Sequence, residues 1–120
     1  MITLFGIPNC DTVKKARAWL TERGIDYQLH DFKKQGVPPD RLNAWIAAVG
    51  WEKLLNRQGT TWRRKLDAAT QATAIDAESA AKLLNLNTGL IKRPVVEWAD
   101  SAFGNDVTVG FDAESWVKRV

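Results

Sequence analysis

The sequence predicts an α/β fold built on a mixed four-stranded sheet, in the order βαβ, a helical stretch, then ββα. Three observations carry this. A short β-prone apolar run, Ile2-Thr3-Leu4-Phe5, opens the chain and stops at Gly6. A helical apolar pattern follows it and leads straight into a second, period-two segment. Strand-like residues then return only near 90–98 and 106–110, beyond a long region of helical spacing.

Each element has its own local reason. Pro8-Asn9 makes a turn after the first strand. Val13, Ala16, Trp19 and Leu20 recur every three or four residues, which predicts a helix over 11–23 with Gly24 as its C-terminal stop. Residues 26–32 alternate, with Tyr27, Leu29 and Asp31 on one side, and give the second strand. A strand–helix–strand unit of this kind pairs its strands in parallel. Pro38-Pro39-Asp40 starts a helix carrying Leu42, Trp45, Ile46 and Val49, closed by Gly50. A short helix over 51–55 precedes an Arg57-Gln58-Gly59 turn, and Thr60 or Thr61 caps a short segment holding Trp62 and Leu66. Asp76 caps a further helix with Ala80, Leu83 and Leu84 as its buried face. Residues 90–98 and 106–110 form two strands, with a hairpin at Gly104-Asn105, and Asp112 caps a last helix bearing Trp116 and Val120. This order is a thioredoxin-like fold in one domain, 1–120, with a helical insertion at about 38–88.

Bulk properties narrow the chemistry. A chain of 120 residues, 45% hydrophobic and 26% charged, has the size and composition of one ordinary globular domain. No apolar run approaches the roughly 20 residues of a membrane span, so no membrane partner is expected. The opening residues hold no basic segment followed by a long apolar stretch, so no secretory signal is expected and the expected location is cytoplasmic. The formal charge of +3 is mild. Its densest groups, Lys14-Lys15-Ala16-Arg17, Lys33-Lys34 and Arg63-Arg64-Lys65, read as solvated faces, and nucleic acid is not an expected partner. Most of the six Trp rings are expected in the core. A monomer is expected. One Cys and one His cannot supply four zinc ligands, so no metal is expected. A lone Cys also excludes a disulfide within the chain, which fits a reducing compartment.

Cys10 is the candidate reactive centre. It falls between the first strand and the first helix, where unpaired N–H groups and the positive end of the helix dipole lower a thiol pKa below about 8.5. Asn9 and Thr12 place donors nearby, and Lys14 adds charge one turn in. Asp11 would raise the thiol pKa unless its carboxylate turns to cap the helix, which is the expectation. Thioredoxin-like folds set a cis-proline before a late strand, facing the active cysteine, and Pro94 has that setting. Arg93 beside it would offer a planar charged fork to a carboxylate or oxyanion. Arg57 lies at a turn between helices. His30 and the Asp31, Lys33 and Lys34 stretch read as structural, the latter as a solvated loop.

Four marks in order carry a resemblance to a known family. They are Pro8-Asn9-Cys10-Asp11-Thr12, Leu54-Leu55-Asn56-Arg57 with Thr60-Thr61-Trp62, Ile91-Lys92-Arg93-Pro94, and Val109-Gly110-Phe111. Over essentially its full length the chain resembles the arsenate reductase (ArsC) family, in its Spx/YffB branch. The resemblance implies a catalytic Cys10 with substrate-binding Arg93 and Arg57, alongside Pro94, Asn9, Thr12 and Lys14. Asn56 competes with Arg57 for the family's first arginine position. Arsenate reductases of this fold carry a third arginine where Val109-Gly110-Phe111 stands, and Spx regulators carry Cys-x-x-Cys where Val13 takes the second place. The expected activity is thus a glutathione-dependent thiol reductase with no bound cofactor. Glutathione would be its co-substrate, and a glutathionylated or oxidised thiol its target. The alternatives are a glutaredoxin-linked arsenate reductase and a non-enzymatic, Spx-like module that binds RNA polymerase.

Overall fold

The computed structural model describes residues 2–98 and 106–119. Their contacts divide them into two compact units. One comprises Met1–Gln35 with Arg93–Val120, the other Gly36–Lys92.

The first unit is built on strands β1 (Ile2–Gly6), β2 (Tyr27–Asp31), β3 (Val95–Glu97) and β4 (Val107–Val109), in the sheet order β2-β1-β3-β4. β1 and β2 are parallel, with Leu4 opposite Leu29, while β3 runs antiparallel to both β1 and β4. The sheet is therefore mixed and four-stranded, as the thioredoxin-like reading requires. Helix α1 (Asp11–Glu22) links the two parallel strands. Its Val13, Ala16, Trp19 and Leu20 are all buried, so the predicted periodicity was the packing face. They meet Leu4, Val96 and Trp116 in one core, with Cys10, Trp98 and Phe111 packed on its margin. Gly24, at φ +66°, ends α1 in a left-handed conformation that costs glycine least.

Three sequence expectations change in this unit. Phe32 was expected to end the second strand and Lys33 and Lys34 to lie in a loop, but Phe32–Gln35 forms the short helix α2, because Phe32 is buried and pulls the segment onto the protein. The late strand is shorter than 90–98. Ile91 bridges Leu55 and the Lys92 N–H donates to the Leu54 carbonyl, so those backbone groups pair within the helical unit before the strand begins. The last helix, α7 (Ala113–Trp116), is a single turn capped by the Asp112 carboxylate and extended by a 3₁₀ turn, Val117–Arg119. The Gly104-Asn105 hairpin and Val120 lie outside the described residues.

The second unit is helical. Helix α3 (Pro39–Val49) starts on proline and ends at Gly50, followed by α4 (Trp51–Leu54). Leu42 and Trp45 are fully buried, whereas Ile46 and Val49 are only half-buried. Helices α5 (Ala68–Gln71) and α6 (Ala77–Leu86) follow, with α6 packing on α3 and α4. The α6 N-terminus is a reciprocal cap: Ser79 N–H donates to the Asp76 carboxylate, and the Ser79 hydroxyl accepts from the Asp76 N–H. Ala80, Leu83 and Leu84 are its buried face, as predicted. Thr60 does not cap with its side chain. Residues Thr61–Lys65 form a π-helical turn instead, and the unexpected α5 is capped by Asp67. The Gln71 amide, donating to the Trp62 carbonyl at 2.7 Å, anchors that widened turn.

Candidate active site around Cys10

The site begins with a tight connection. The Cys10 N–H donates to the Ile7 carbonyl at 3.0 Å, closing a turn with Pro8 and Asn9 at its corners. Helix α1 starts at the next residue, and the Lys14 N–H donates to the Cys10 carbonyl at 2.9 Å. Cys10 itself is therefore the N-cap, in extended conformation, and Asp11 is the first helical residue. This corrects the expectation that Asp11 caps the helix. A backbone one residue earlier already accepts the first helical bond, so the cap position falls to the cysteine.

At the N-cap the sulfur takes the place usually held by a serine or aspartate oxygen. It closes no conventional capping bond, but the N–H groups of Val13 and Thr12 stabilise negative charge on it. Partial burial pushes the thiol pKa up. The Val13 N–H, the Arg93 side chain, the Thr12 N–H and the Arg93 charge act against it, and together they hold the thiol below its ordinary value. The half-buried position leaves the sulfur open to a partner. This is the environment of a reactive cysteine rather than of a small buried hydrophobe.

Arg93 meets this sulfur from the far side of the chain. The Arg93–Pro94 peptide is cis, as the thioredoxin-like reading expects, and Pro94 is buried. The Gly110 N–H donates to the Pro94 carbonyl at 2.8 Å, which ties the Val109-Gly110-Phe111 segment to the same wall. Gly110 has φ +82°, a conformation poorly suited to an arginine. Phe111 packs edge-on against Trp116, centroids 4.8 Å apart, and against Trp19 at 6.4 Å. Among the described residues, this segment brings no cation to the site.

The other sequence candidates fall as follows. Thr12 takes part through its backbone, while its side chain is exposed. Asn9 and Lys14 are exposed at the rim of the turn and on the first helical turn. Arg57 belongs to the helical unit. It is exposed, and its guanidinium lies 5.7 Å from the ring centroids of both Trp51 and Trp62, which fixes its planar face. It lines an open cleft with Gln58, Trp62, Arg63 and Gln71. His30 stacks at a tilt on Phe5, 4.8 Å between centroids, in keeping with a structural role. The contribution sequence reasoning missed is the Val13 N–H. Its side chain reads only as core, and the signal for its backbone was positional: the third residue of a helix always has a free N–H for the cap. Among the described residues, no His, Cys, Asp and Glu cluster could hold a metal ion. No described helix is long and apolar enough to cross a membrane.

Comparison with known proteins agrees with this geometry. The model of the ArsC family matches residues 5–118. A Haemophilus influenzae protein described as an uncharacterized protein is 42% identical over 96 residues, covering 80% of this chain and 82% of its own. The global transcriptional regulator Spx of Streptococcus pyogenes is 29% identical over 98 residues, covering 80% and 71%. Among solved structures, the YffB protein superposes with TM-score 0.88 at 39% identity, covering 99% of this chain and 98% of that one. An arsenate reductase (ArsC) related protein from Brucella melitensis gives TM-score 0.72 at 43% identity, covering 98% and 92%. The cysteine at the mouth of α1, the cis-proline wall and these likenesses converge: the chain belongs to the ArsC family, in its Spx/YffB branch.

Proposed function

We propose that the protein is a glutathione-dependent thiol reductase that works through one cysteine. The observation that carries this is the Cys10 sulfur at the α1 N-cap, its charge favoured by the Val13 and Thr12 N–H groups and by Arg93, in a chain with one cysteine. The thiolate attacks the glutathione sulfur of a glutathionylated substrate. A Cys10–glutathione disulfide forms, and the substrate thiolate leaves and takes a proton. A second glutathione thiolate then attacks the glutathione sulfur of that disulfide, releasing oxidised glutathione and restoring the Cys10 thiolate. One disulfide bond is broken in the substrate and one is made in oxidised glutathione, so the substrate sulfur is reduced at the expense of the incoming glutathione sulfur. Arg93 binds a glutathione carboxylate, the Pro94 backbone pairs with its peptide, and Lys14 adds charge for the second carboxylate. The reaction needs free glutathione and so suits a reducing compartment, the cytoplasm, with the protein acting as a monomer.

The test is mass spectrometry of the protein after oxidised glutathione, with turnover on a glutathionylated peptide. One glutathione adduct on the native chain, none on Cys10→Ser, and peptide reduction dependent on glutathione are the expected results. A thiol titrating at about 8.5 or above, with no turnover, refutes the proposal.

The likeness to Spx regulators favours a second reading, a non-enzymatic module that contacts RNA polymerase. Under it, Cys10→Ser keeps polymerase in a pull-down. With Val13 buried where a switch cysteine would stand, no disulfide switch operates within the chain. Arsenate is a poor substrate for this site, since Phe111 is committed to the aromatic core. Assays with arsenate, glutathione and glutaredoxin should stay at background.

A further inference from the structure

We propose that Gly6 is a positioning residue for Cys10, acting through its contact with Val13. The inference rests on the thiolate reading of Cys10 and adds a residue to it. Gly6 is the last residue of β1, and a Cβ built on it would lie 2.8 Å from Val13 Cγ2 and 3.5 Å from Cγ1. Real Cβ atoms do not approach that closely, so one of the two must move. Val13 has nowhere to go. It is fully buried against Leu4, Ala16 and Leu20, and a β-branched side chain in a helix has one strongly preferred rotamer.

The contact closes a short ring of structure. From Gly6 the chain passes through the turn fixed by the Cys10 N–H and Ile7 carbonyl, enters α1 at Cys10, and reaches Val13, which packs back on Gly6. The Gly6–Val13 contact therefore sets the angle at which α1 leaves the sheet. That angle fixes where the Thr12 and Val13 N–H groups stand relative to the sulfur at the N-cap. Adding one methyl at Gly6 lifts the first turn of α1 by a few tenths of an ångström. The N–H groups are carried off the sulfur while the rest of the sheet is left in place. Gly6 has a negative φ, so its backbone does not require glycine; the closeness of Val13 does.

The experiment is the pH dependence of iodoacetamide alkylation, followed by intact mass. Cys10 is the sole cysteine, so every adduct reports on it. In Gly6→Ala the alkylation midpoint moves up, and the rate on the acid side falls about twofold or more, as expected for weakened hydrogen bonds to a thiolate. In Gly6→Ala/Val13→Ala the obstructing Cγ atoms are gone, and the native profile returns although the core has lost more packing. A merely structural role would predict the opposite order. A native profile in Gly6→Ala, or a profile still shifted in the double variant, overturns the proposal. If Gly6→Ala does not fold, the double variant carries the test alone: it should fold with the native profile, and a failure of either overturns the proposal. A native protein whose own midpoint is not depressed overturns the thiolate reading itself. A depressed native midpoint with an unaltered Gly6→Ala profile overturns only the role of Gly6.

Discussion

Replacing Arg93 with methionine should slow Cys10 without unfolding the protein, by an amount that can be worked out. Methionine keeps the length and apolar stem of the half-buried Arg93 and removes its charge and its hydrogen bond to the sulfur. A hydrogen bond to a charged group contributes about 1.5–3 kcal/mol. Cys10 is partly exposed, so solvent screening leaves the lower end, about 1.5 kcal/mol. At about 1.4 kcal/mol per factor of ten, the thiolate population falls roughly tenfold on the acid side of the midpoint. The remaining thiolate is more basic and a better nucleophile, with a Brønsted coefficient of about 0.4–0.5, which recovers nearly half of the logarithmic loss. The net expectation is alkylation by iodoacetamide about fourfold slower on the acid side and about threefold faster than native protein well above both midpoints, where both are fully thiolate. Arg93→Lys should fall between, because it keeps charge but not the planar fork. An Arg93→Met protein that is folded and alkylates at the native rate across the whole pH range refutes the role given to Arg93.

Other expectations follow from the same structure. Because the folded thiol titrates below its unfolded value, its ionisation adds stability that is full above about pH 8.5 and is lost as pH falls through the folded value. Denaturant midpoints of native protein should therefore rise across that window more than those of Cys10→Ser. Asp76, whose carboxyl is held below the usual range by the Ser79 N–H and hydroxyl, stabilises α6 above about pH 3.9 and loses that contribution in acid. Asp76→Ala should lower the thermal midpoint at neutral pH and leave a flatter acid limb in a thermal scan. Leu4 is fully buried at the centre of β1, and Leu4→Ala should cost about 2–5 kcal/mol by urea unfolding. Trp116 meets Trp19, Trp98 and Phe111 edge-on at 4.8–5.6 Å, and Trp116→Ala should cost about 3–5 kcal/mol.

Much of this fold is legible in the amino-acid sequence. The spacing of Val13, Ala16, Trp19 and Leu20 fixes the buried face of α1, because a helix places residues three and four apart on one side. Gly24, Gly50, Asp76 and Asp112 mark element ends by their own backbone and capping chemistry. The lone cysteine after a β-prone run, and the proline before a late apolar segment, are visible as letters. Where local signals are weak, the boundaries shift. Phe32 becomes helical because tertiary burial outweighs the polarity of Lys33 and Lys34. The π-helical turn at Thr61–Lys65 has no periodicity to announce it, and it depends on Gln71 reaching back to Trp62.

Sequence alone determines that any redox chemistry here is one-cysteine chemistry, since that is a matter of composition. It also determines that the cysteine stands at the mouth of a helix, since that follows from local patterning. Tertiary structure alone decides what surrounds the sulfur. Arg93 is 83 positions away along the chain, and it meets Cys10 only because β3 pairs with β1 and the chain enters β3 through Pro94. Cys10 rather than Asp11 takes the N-cap because the first helical hydrogen bond closes on the Cys10 carbonyl, a one-residue choice that residue identity does not encode. The fit of Val13 against Gly6 is of the same kind: two ordinary core letters whose meaning appears only when strand and helix are packed together.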